Sequence, residues 1–575
     1  MSSSTDHNAD EPWWKRAVVY QVYPRSFYDS DGDGLGDLGG LIEKLDYLHE
    51  LGVDVVWVTP FYPSPQHDNG YDISDHCAVD PAFGTLADLD RLIDELHARG
   101  MKFVLDVVLN HTSDEHPWFL ESRSSRDNPK RDWYWWRPPR RGTKPGTRGA
   151  EPTNWLSFFS EPTWTFDPGT GEYFLHLFSR HQPDLNWENP EVRRDLYSIL
   201  RWWIERGVDG FRLDVINMIS KRLPLQDGPP LADTGFGDGS ESFITGPRIH
   251  EFVQELHREV IDASERVLLT VGEMPGVTTH EAALFTDPAR DEFDMVFQFE
   301  HMSVDHGPGG RFDVRPVRLS SLKTSLGRWQ ESLAERGWNS LYWNNHDQPR
   351  VVSRFGSDDP RYRVASAKAL GTVLHMLRGT PFVYQGEELG MTNYPFRSVE
   401  GFRDIESLNY HRLATELGIE SGPLLAAMQY TSRDNCRTPM QWDASAHGGF
   451  TTGEPWISVN PNYPEINAAD QVDDPDSVFH HYRRLIELRH EWPVVREGEF
   501  RLLLPDHEQI FAYLRLGGTD ELLVVANLSS QEAEGELPEP GTWDEVLLSN
   551  FLDPHRPGQA FRPWEATVFR RQVTG

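Results

Sequence analysis

Eight short runs rich in Val, Leu, Ile and aromatic residues recur along the chain, each bounded by turn residues or helical patterns and each too short to be a helix. They read as strands at 17–23, 53–59, 102–110, 207–215, 267–273, 293–299, 340–345 and 380–385. Helical spacings separate several of them, as in Leu41, Leu45 and Leu48 before Gly52, or Leu89, Leu92, Ile93 and Leu96 before Gly100. Gly52, Gly100, Gly207 and Gly379 stand where a helix needs its C-terminal glycine. Strand, helix, glycine, strand is a βα unit. Eight such strands predict an α/β fold, a closed (β/α)8 TIM barrel whose active site forms at the C-terminal strand ends.

Two connections are too long for plain loops. Residues 112–189 follow strand three, carry Trp133-Tyr134-Trp135-Trp136 and a basic Pro/Gly-rich stretch, and read as an inserted subdomain. A second insertion runs over about 388–475, after strand eight. From 495 the pattern becomes strand after strand without helices between, which predicts a small all-β C-terminal domain of sandwich type. The expected division is thus a barrel at 1–111 and 190–494, a subdomain at 112–189 and a tail domain at 495–575.

Composition excludes several partners. The formal net charge of -35 is spread along the chain with no basic tract, so nucleic acid and anionic membranes are repelled while a neutral sugar is unaffected. Two cysteines, Cys77 and Cys436, cannot form a disulfide framework and fit a reducing compartment, leaving at most one bridge. The first ten residues lack the basic start and apolar run of a secretion signal, and no stretch reaches the ~20 apolar residues of a membrane span. A cytoplasmic protein is expected, as monomer or small homo-oligomer, with an imported substrate.

Ionisable residues gather where the barrel rule puts a catalytic site. Asn110-His111 end strand three, Arg212 and Asp214 end strand four, Glu273 ends strand five, and His346-Asp347 follow strand seven. A single carboxylate at a strand end is usually a cap or an ion pair; three at one mouth are not explained that way. Retaining glycoside hydrolysis needs two carboxyl groups about 5–5.5 Å apart, one ionised to attack and one protonated to release the leaving oxygen. Arg212, two residues before Asp214, shares its side of the strand and is expected to hold it ionised. Glu273, flanked by Gly272 and Met274, has no adjacent cation in sequence and is expected to keep a raised pKa as the acid.

The motifs Asp106-Val-Val-Leu-Asn-His111, Gly210-Phe-Arg-Leu-Asp214, Glu273 and Asn344-Asn-His-Asp347, in this order, resemble the four signatures of the α-amylase family of glycoside hydrolases. Gln182-Pro-Asp-Leu-Asn186, Val271-Gly-Glu-Met-Pro-Gly276, Phe297-Gln-Phe-Glu-His301 and Arg433-Asp-Asn-Cys-Arg-Thr-Pro-Met-Gln-Trp442 are similar to the bacterial oligo-1,6-glucosidases, and the likeness covers almost the whole chain. The resemblance implies Asp214 as nucleophile, Glu273 as general acid/base and Asp347 as the carboxylate that grips sugar hydroxyls. Asp72, His111, Arg212, His346 and Arg433 would line a pocket for the non-reducing glucose of a small oligosaccharide. Arg437, one helical turn from Arg433, competes for that role. Val215, directly after the nucleophile, is what relatives acting on α-1,6 bonds carry, where many α-1,4-preferring ones carry Thr or Ala.

Asp29-Ser-Asp31-Gly-Asp33-Gly-Leu35-Gly-Asp37 matches the calcium-loop spacing of an EF-hand, with Gly40 where a terminal Glu would stand. Because it follows strand one, it is no EF-hand. The resemblance implies a structural Ca2+ held by Asp29, Asp31, Asp33, the Leu35 carbonyl and Asp37. No nucleotide, zinc or flavin fingerprint appears, so no organic cofactor is expected. The rival readings are an α-1,4-preferring glucosidase or transglucosidase, a trehalose-forming isomerase, and the non-catalytic partner module of amino-acid transporters.

Overall fold

The structure, a computed structural model, describes residues 11–231, 234–537, 543 and 545–573. The first ten residues, read above as free of a secretion signal, lie outside that set. Eight strands, Val19–Val22, Val55–Val58, Lys102–Val108, Gly210–Asp214, Leu269–Glu273, Met295–Phe297, Ser340–Tyr342 and Thr380–Tyr384, form one parallel sheet in chain order, with the first paired to the eighth. A parallel bridge between Val296 and Asn339 joins the sixth to the seventh and completes the ring. Each strand falls inside its predicted run.

The connecting helices follow from local signals. Leu86–Ala98 begins in a capping box between Thr85 and Asp88 and buries Leu89, Leu92, Ile93 and Leu96 on one face. Gly52 ends Leu45–Leu51 at φ 93°, a left-handed conformation that a side chain would resist. Gly379 behaves differently from expectation: the helix Arg363–His375 has already ended, and Gly379 at φ 148° turns the chain into strand eight, where a Cβ would lie 2.5 Å from the Asn339 carbonyl oxygen.

After strand three, Trp136–Arg137, Trp164–Asp167 and Glu172–Leu175 form a small antiparallel sheet. Its core of Trp135, Trp155, Trp164 and Tyr173 also takes in Val215 and Met218, from just beyond strand four. A fully buried ion pair, Lys221 Nζ to Asp184 Oδ2 at 2.6 Å, fastens the insertion to the same loop. On its outer side Glu161 is bridged by Arg180 and by Arg412, which stands on helix Ile405–Glu416 of the second insertion. The two insertions therefore meet beside the barrel mouth.

The tail is a five-stranded antiparallel sheet of Glu499–Leu503, Ile510–Gly517, Asp520–Asn527, Ala566–Gln572 and Glu545–Ser549. Along Ile510–Gly517, Phe511 and Tyr513 face the barrel while Ile510, Ala512 and Leu514 face the tail's own core, the period-two alternation of a strand buried on both sides. Tyr513 Oη donates to the Val373 carbonyl at 2.7 Å, which docks the sheet on a barrel helix. Cys77 and Cys436 are both free thiols, and no helix among the described residues is long and apolar enough to cross a membrane.

Replacing Lys221 by Ala strands the Asp184 carboxylate in the interior. The expected cost is about 3–5 kcal/mol, read as a lower thermal midpoint at fixed scan rate, with a Lys221→Met, Asp184→Asn double variant losing less than the single one.

Candidate active site

Strand register puts Asp106 beside Arg212 and Val108 beside Asp214, while Arg212 lies opposite Val271 on strand five. Residues two apart share a face, so Arg212 and Asp214 both enter the barrel. Arg212 is 1% exposed. One of its terminal nitrogens, Nη1, donates to Asp106 Oδ1 and Asp214 Oδ1, both at 2.8 Å, and the other, Nη2, pairs with Glu273 Oε1 at 2.7 Å. Three carboxylates share one cation.

This overturns the reading of Glu273 as free of a neighbouring cation, since Arg212 reaches it across the strand boundary. Arg212 pairs with Asp214 as expected, but it is shared with two other carboxylates. Burial raises the Asp214 pKa well above the carboxylate range, Arg212 opposes it, and Glu273 and Asp106 push it further up. Asp106 is itself raised to about 6 by burial, against the pull of Arg212. One guanidinium is thus shared among three buried carboxylates.

The backbone at Val215 has φ 36° and ψ 39°, the left-handed region, an uncommon and strained state for a β-branched residue. In that conformation its N–H donates to Glu273 Oε2 at 3.2 Å, so both Glu273 oxygens are held by strand four and its first following residue.

A second cluster forms around Asp347. Arg433 Nη1 and Arg437 Nη2 approach Asp347 Oδ1 at 3.2 and 2.7 Å, and Arg311 donates to the Asp347 carbonyl at 2.6 Å. Burial alone would raise the Asp347 pKa, yet it lies well below the usual range. His346, at 3.2 Å, and the guanidiniums of Arg433, Arg437 and Arg311 outweigh burial there, while burial pushes His346 itself down to about 3. Arg433 also pairs with Asp68 Oδ1 at 3.1 Å and Asp404 Oδ1 at 2.6 Å. Burial lifts Asp68 to about 7 against Arg433 and Arg437, whereas the same two arginines overcome burial at Asp404 and hold it at about 2.

Between the two clusters lies a cavity of about 190 Å³ lined by Asp214, Glu273, Asp347, His111, Val215 and Arg433, with Asp68, Tyr71, Phe159, Gln182, Phe299 and Glu406 among its other walls. A larger cleft of about 680 Å³ lies between the inserted sheet and helix Ile405–Glu416, but holds none of the predicted site residues. The smaller cavity is the chemical one because the carboxylates converge there.

Of the predicted pocket residues, Arg212 and His346 lie buried beneath the cavity rather than in its lining. Asp72 is a correction. It is fully buried and accepts from Ser64 Oγ, His67 N and Asp68 N at 2.9, 2.9 and 3.0 Å. It shapes the loop that presents Asp68, four residues earlier, to the cavity. Arg433 lines the cavity while Arg437, wholly buried, braces Asp347 from behind. Asp68 stood in the same loop as Asp72 and was legible as a neighbour. Arg311 and Glu406, paired at 3.0 Å, come from separate connections and carried no sequence signal.

In the calcium-type loop, Asp29, Asp31 and Asp37 bring one carboxylate oxygen each within 4.8 Å of one another. Asp33 is outside that group; its Oδ1 accepts from Leu35 N at 2.8 Å. Of the four expected carboxylates, three therefore cluster. Asp29 also accepts from Gly32 N, Gly34 N and the Thr451 hydroxyl, which ties the loop to the second insertion.

Residues 21–498 match the α-amylase catalytic domain, and residues 500–552 match the maltogenic amylase C-terminal domain. The chain belongs to the α-amylase family. As a member it is a glycoside hydrolase. Within the α-amylase family it is 54% identical to an oligo-1,6-glucosidase of Parageobacillus thermoglucosidasius, over 97% of this chain and 99% of the relative. It is 52% identical to one of Bacillus cereus, over 98% and 100%. The crystal structure of Bacillus licheniformis trehalose-6-phosphate hydrolase superposes with a TM-score of 0.90 at 45% identity, covering 97% of this chain and all of that one.

Arg212→Lys replaces a planar two-nitrogen fork with a single, compact ammonium that cannot reproduce the same geometry toward three carboxylates on three strands. The expected loss in kcat is about 10²–10³-fold, with a displaced pH–rate profile, because Arg212 opposes the upward shift of the Asp214 pKa. Steady-state rates from pH 4 to 9, on a variant whose thermal midpoint is also recorded, check this.

Proposed function

We propose that this chain is a retaining, exo-acting α-glucosidase that releases glucose from the non-reducing end of short α-glucosides and prefers α-1,6 linkages, as in isomaltose, isomalto-oligosaccharides and panose. The observation that carries the proposal is the sharing of Arg212 by Asp214 and Glu273 at the floor of a cavity of about 190 Å³. Two carboxylates on one guanidinium suit the retaining spacing of about 5–5.5 Å rather than the inverting one of about 6.5–9.5 Å. The volume is below the ~300–1,000 Å³ of drug-sized sites and suits one sugar ring.

In this mechanism Asp214 attacks the anomeric carbon and breaks the bond to the glycosidic oxygen, to which Glu273 delivers a proton. The resulting glycosyl-enzyme ester is then hydrolysed by water that Glu273 deprotonates. Asp347, held ionised by its arginines, accepts hydrogen bonds from ring hydroxyls and favours the positive charge that develops on the ring. Arg433 and Asp68 bond further hydroxyls, neutral His111 adds an uncharged polar contact, and Arg212 positions both reacting carboxylates.

The linkage preference rests on Val215 and on the oligo-1,6-glucosidase relatives. Val215 lines the cavity beside the nucleophile, so its branch sets what the leaving sugar meets. The division into barrel, subdomain 112–189 and tail from 495 belongs to the same reading, as do a cytoplasmic location, sugar rather than nucleic acid or lipid as partner, and a structural Ca2+. The chemistry of Asp29, Asp31 and Asp37 fits a hard, oxygen-preferring cation, which would hold the loop after strand one and supply no step of the reaction.

Three outcomes are expected. Glu273→Gln abolishes turnover of isomaltose while the first-formed glucose anomer from wild type, followed by NMR, is α; release of the β anomer overturns retention. Val215→Thr keeps the β-branch and the backbone strain but adds a hydroxyl, and raises maltose turnover relative to isomaltose; an unchanged ratio removes the linkage argument in favour of an α-1,4-preferring glucosidase. Chelation lowers the thermal midpoint, and metal analysis of the untreated protein finds calcium.

A further inference from the structure

Asp68 reaches the cavity from a loop bent against ordinary backbone preference. Gln66 at φ 65° and Asn69 at φ 50° both lie in the left-handed region, and between them stand His67 and Asp68. Side chains in that region cost free energy that surrounding contacts must offset. From within the loop, Asp72 accepts hydrogen bonds from the His67 and Asp68 amides. From outside it, the His67 ring lies flat on the His181 ring, with centroids 3.7 Å apart and planes 10° from parallel.

His181 belongs to the segment by which the inserted subdomain returns to the barrel. It stands one residue before Gln182, whose Nε2 donates to Asp68 Oδ2 at 3.0 Å. Its Nδ1 meets Asp114 Oδ2 at 2.9 Å, and its carbonyl accepts from Asp114 N at 3.0 Å, which ties it to the chain just past strand three. The stack therefore joins two loops whose next residues, Asp68 and Gln182, bond each other in the cavity wall. Resting on the glucosidase reading above, we propose that His67 and His181 are positioning residues for Asp68: stacked, they hold it toward the hydroxyls of the non-reducing glucose, and when both rings are charged the pair separates and the sugar is bound less tightly.

Solvent reaches both rings, since His67 is exposed and the His181 side chain is 32% exposed. Imidazole gains charge between about pH 8 and 5, and two imidazolium rings face to face repel each other. The hydrogen bond to Asp114 raises the His181 pKa, with Asp72 adding to it and burial and Arg180 opposing it. His176, the other imidazole nearby, is pushed down to about 4 by burial and is neutral at pH 7. A raised His181 pKa means that its bond to Asp114 is complete in acid and weakens as the pH climbs past that value. Loosening in acid therefore comes from the stack and not from the Asp114 contact. Asp68, raised to about 7 by burial, titrates in the same range, so a change at His67 is needed to separate the ring pair from the carboxyl.

The test measures kcat and KM for isomaltose from pH 5 to 8 in wild type, His67→Phe and His67→Ala, with thermal midpoints recorded. Phe keeps a flat ring against His181 that cannot take a proton, and Ala removes the ring. The wild-type KM is expected to rise about three- to tenfold between pH 7.5 and 5.5, the worth of roughly one hydrogen bond to the sugar. His67→Phe is expected to match wild type at pH 7.5 and to lose most of that rise. His67→Ala is expected to show a KM raised by a similar factor already at pH 7.5, with kcat in both variants within about twofold of wild type at that pH. If His67→Ala has a lowered thermal midpoint, His67→Phe decides by itself. A wild-type KM that does not rise in acid, a rise that persists in His67→Phe, or a folded His67→Ala with the wild-type KM at pH 7.5 overturns the proposal and leaves the glucosidase assignment standing. A wild type that turns over neither isomaltose nor maltose fails the glucosidase reading and the proposal together.

Discussion

A guanidinium buried at the centre of a barrel organises the catalytic end of this molecule. Arg212 bonds Asp106 from strand three, Asp214 from its own strand and Glu273 from strand five. Burying a cation is costly unless it is paired, and burying carboxylates is costly for the same reason. The three acids and the arginine therefore depend on one another, and any displacement of the three strands separates charges that the interior cannot solvate. Burial, opposed by Arg212 and reinforced by Glu273 and Asp106, raises the Asp214 pKa well above the carboxylate range. Structural integrity and chemical readiness come from the same contact.

The Asp347 cluster uses the opposite balance. There Arg433, Arg437 and Arg311 surround a carboxylate that burial would otherwise protonate, and keep it charged. Two acids with unlike tasks are thus tuned by their surroundings rather than by their own chemistry. Asp68 and Asp404 share Arg433 yet titrate far apart, near 7 and near 2, because burial wins at the first and the arginines win at the second.

Val215 links the two outer layers to this centre. Its side chain packs into the core of the inserted sheet, its backbone is strained, and its N–H holds Glu273. Lys221 and Asp184 fasten the insertion a few residues further on. The subdomain therefore does more than cover the mouth: it is anchored to the segment that holds Glu273, and through Glu161 and Arg412 it reaches the second insertion as well.

Period, length and glycine placement in the amino-acid sequence were enough to determine the barrel, its eight strands and the strand ends where Asp214, Glu273 and Asp347 stand, because those signals are local and a parallel barrel leaves its strand termini on one face. Which loop residue faces the sugar was not local. Asp72 and Asp68 lie four apart in one turn, and only the folded loop shows that the first is spent on backbone amides and the second reaches the cavity. Likewise, no reading along the chain puts a cation beside Glu273, since Arg212 belongs to the neighbouring strand and meets it through sheet register. The electrostatic balance and the composition of the cavity walls depend on groups far apart in sequence, and were decided by tertiary packing, where distance and dielectric rather than spacing along the chain set the energies.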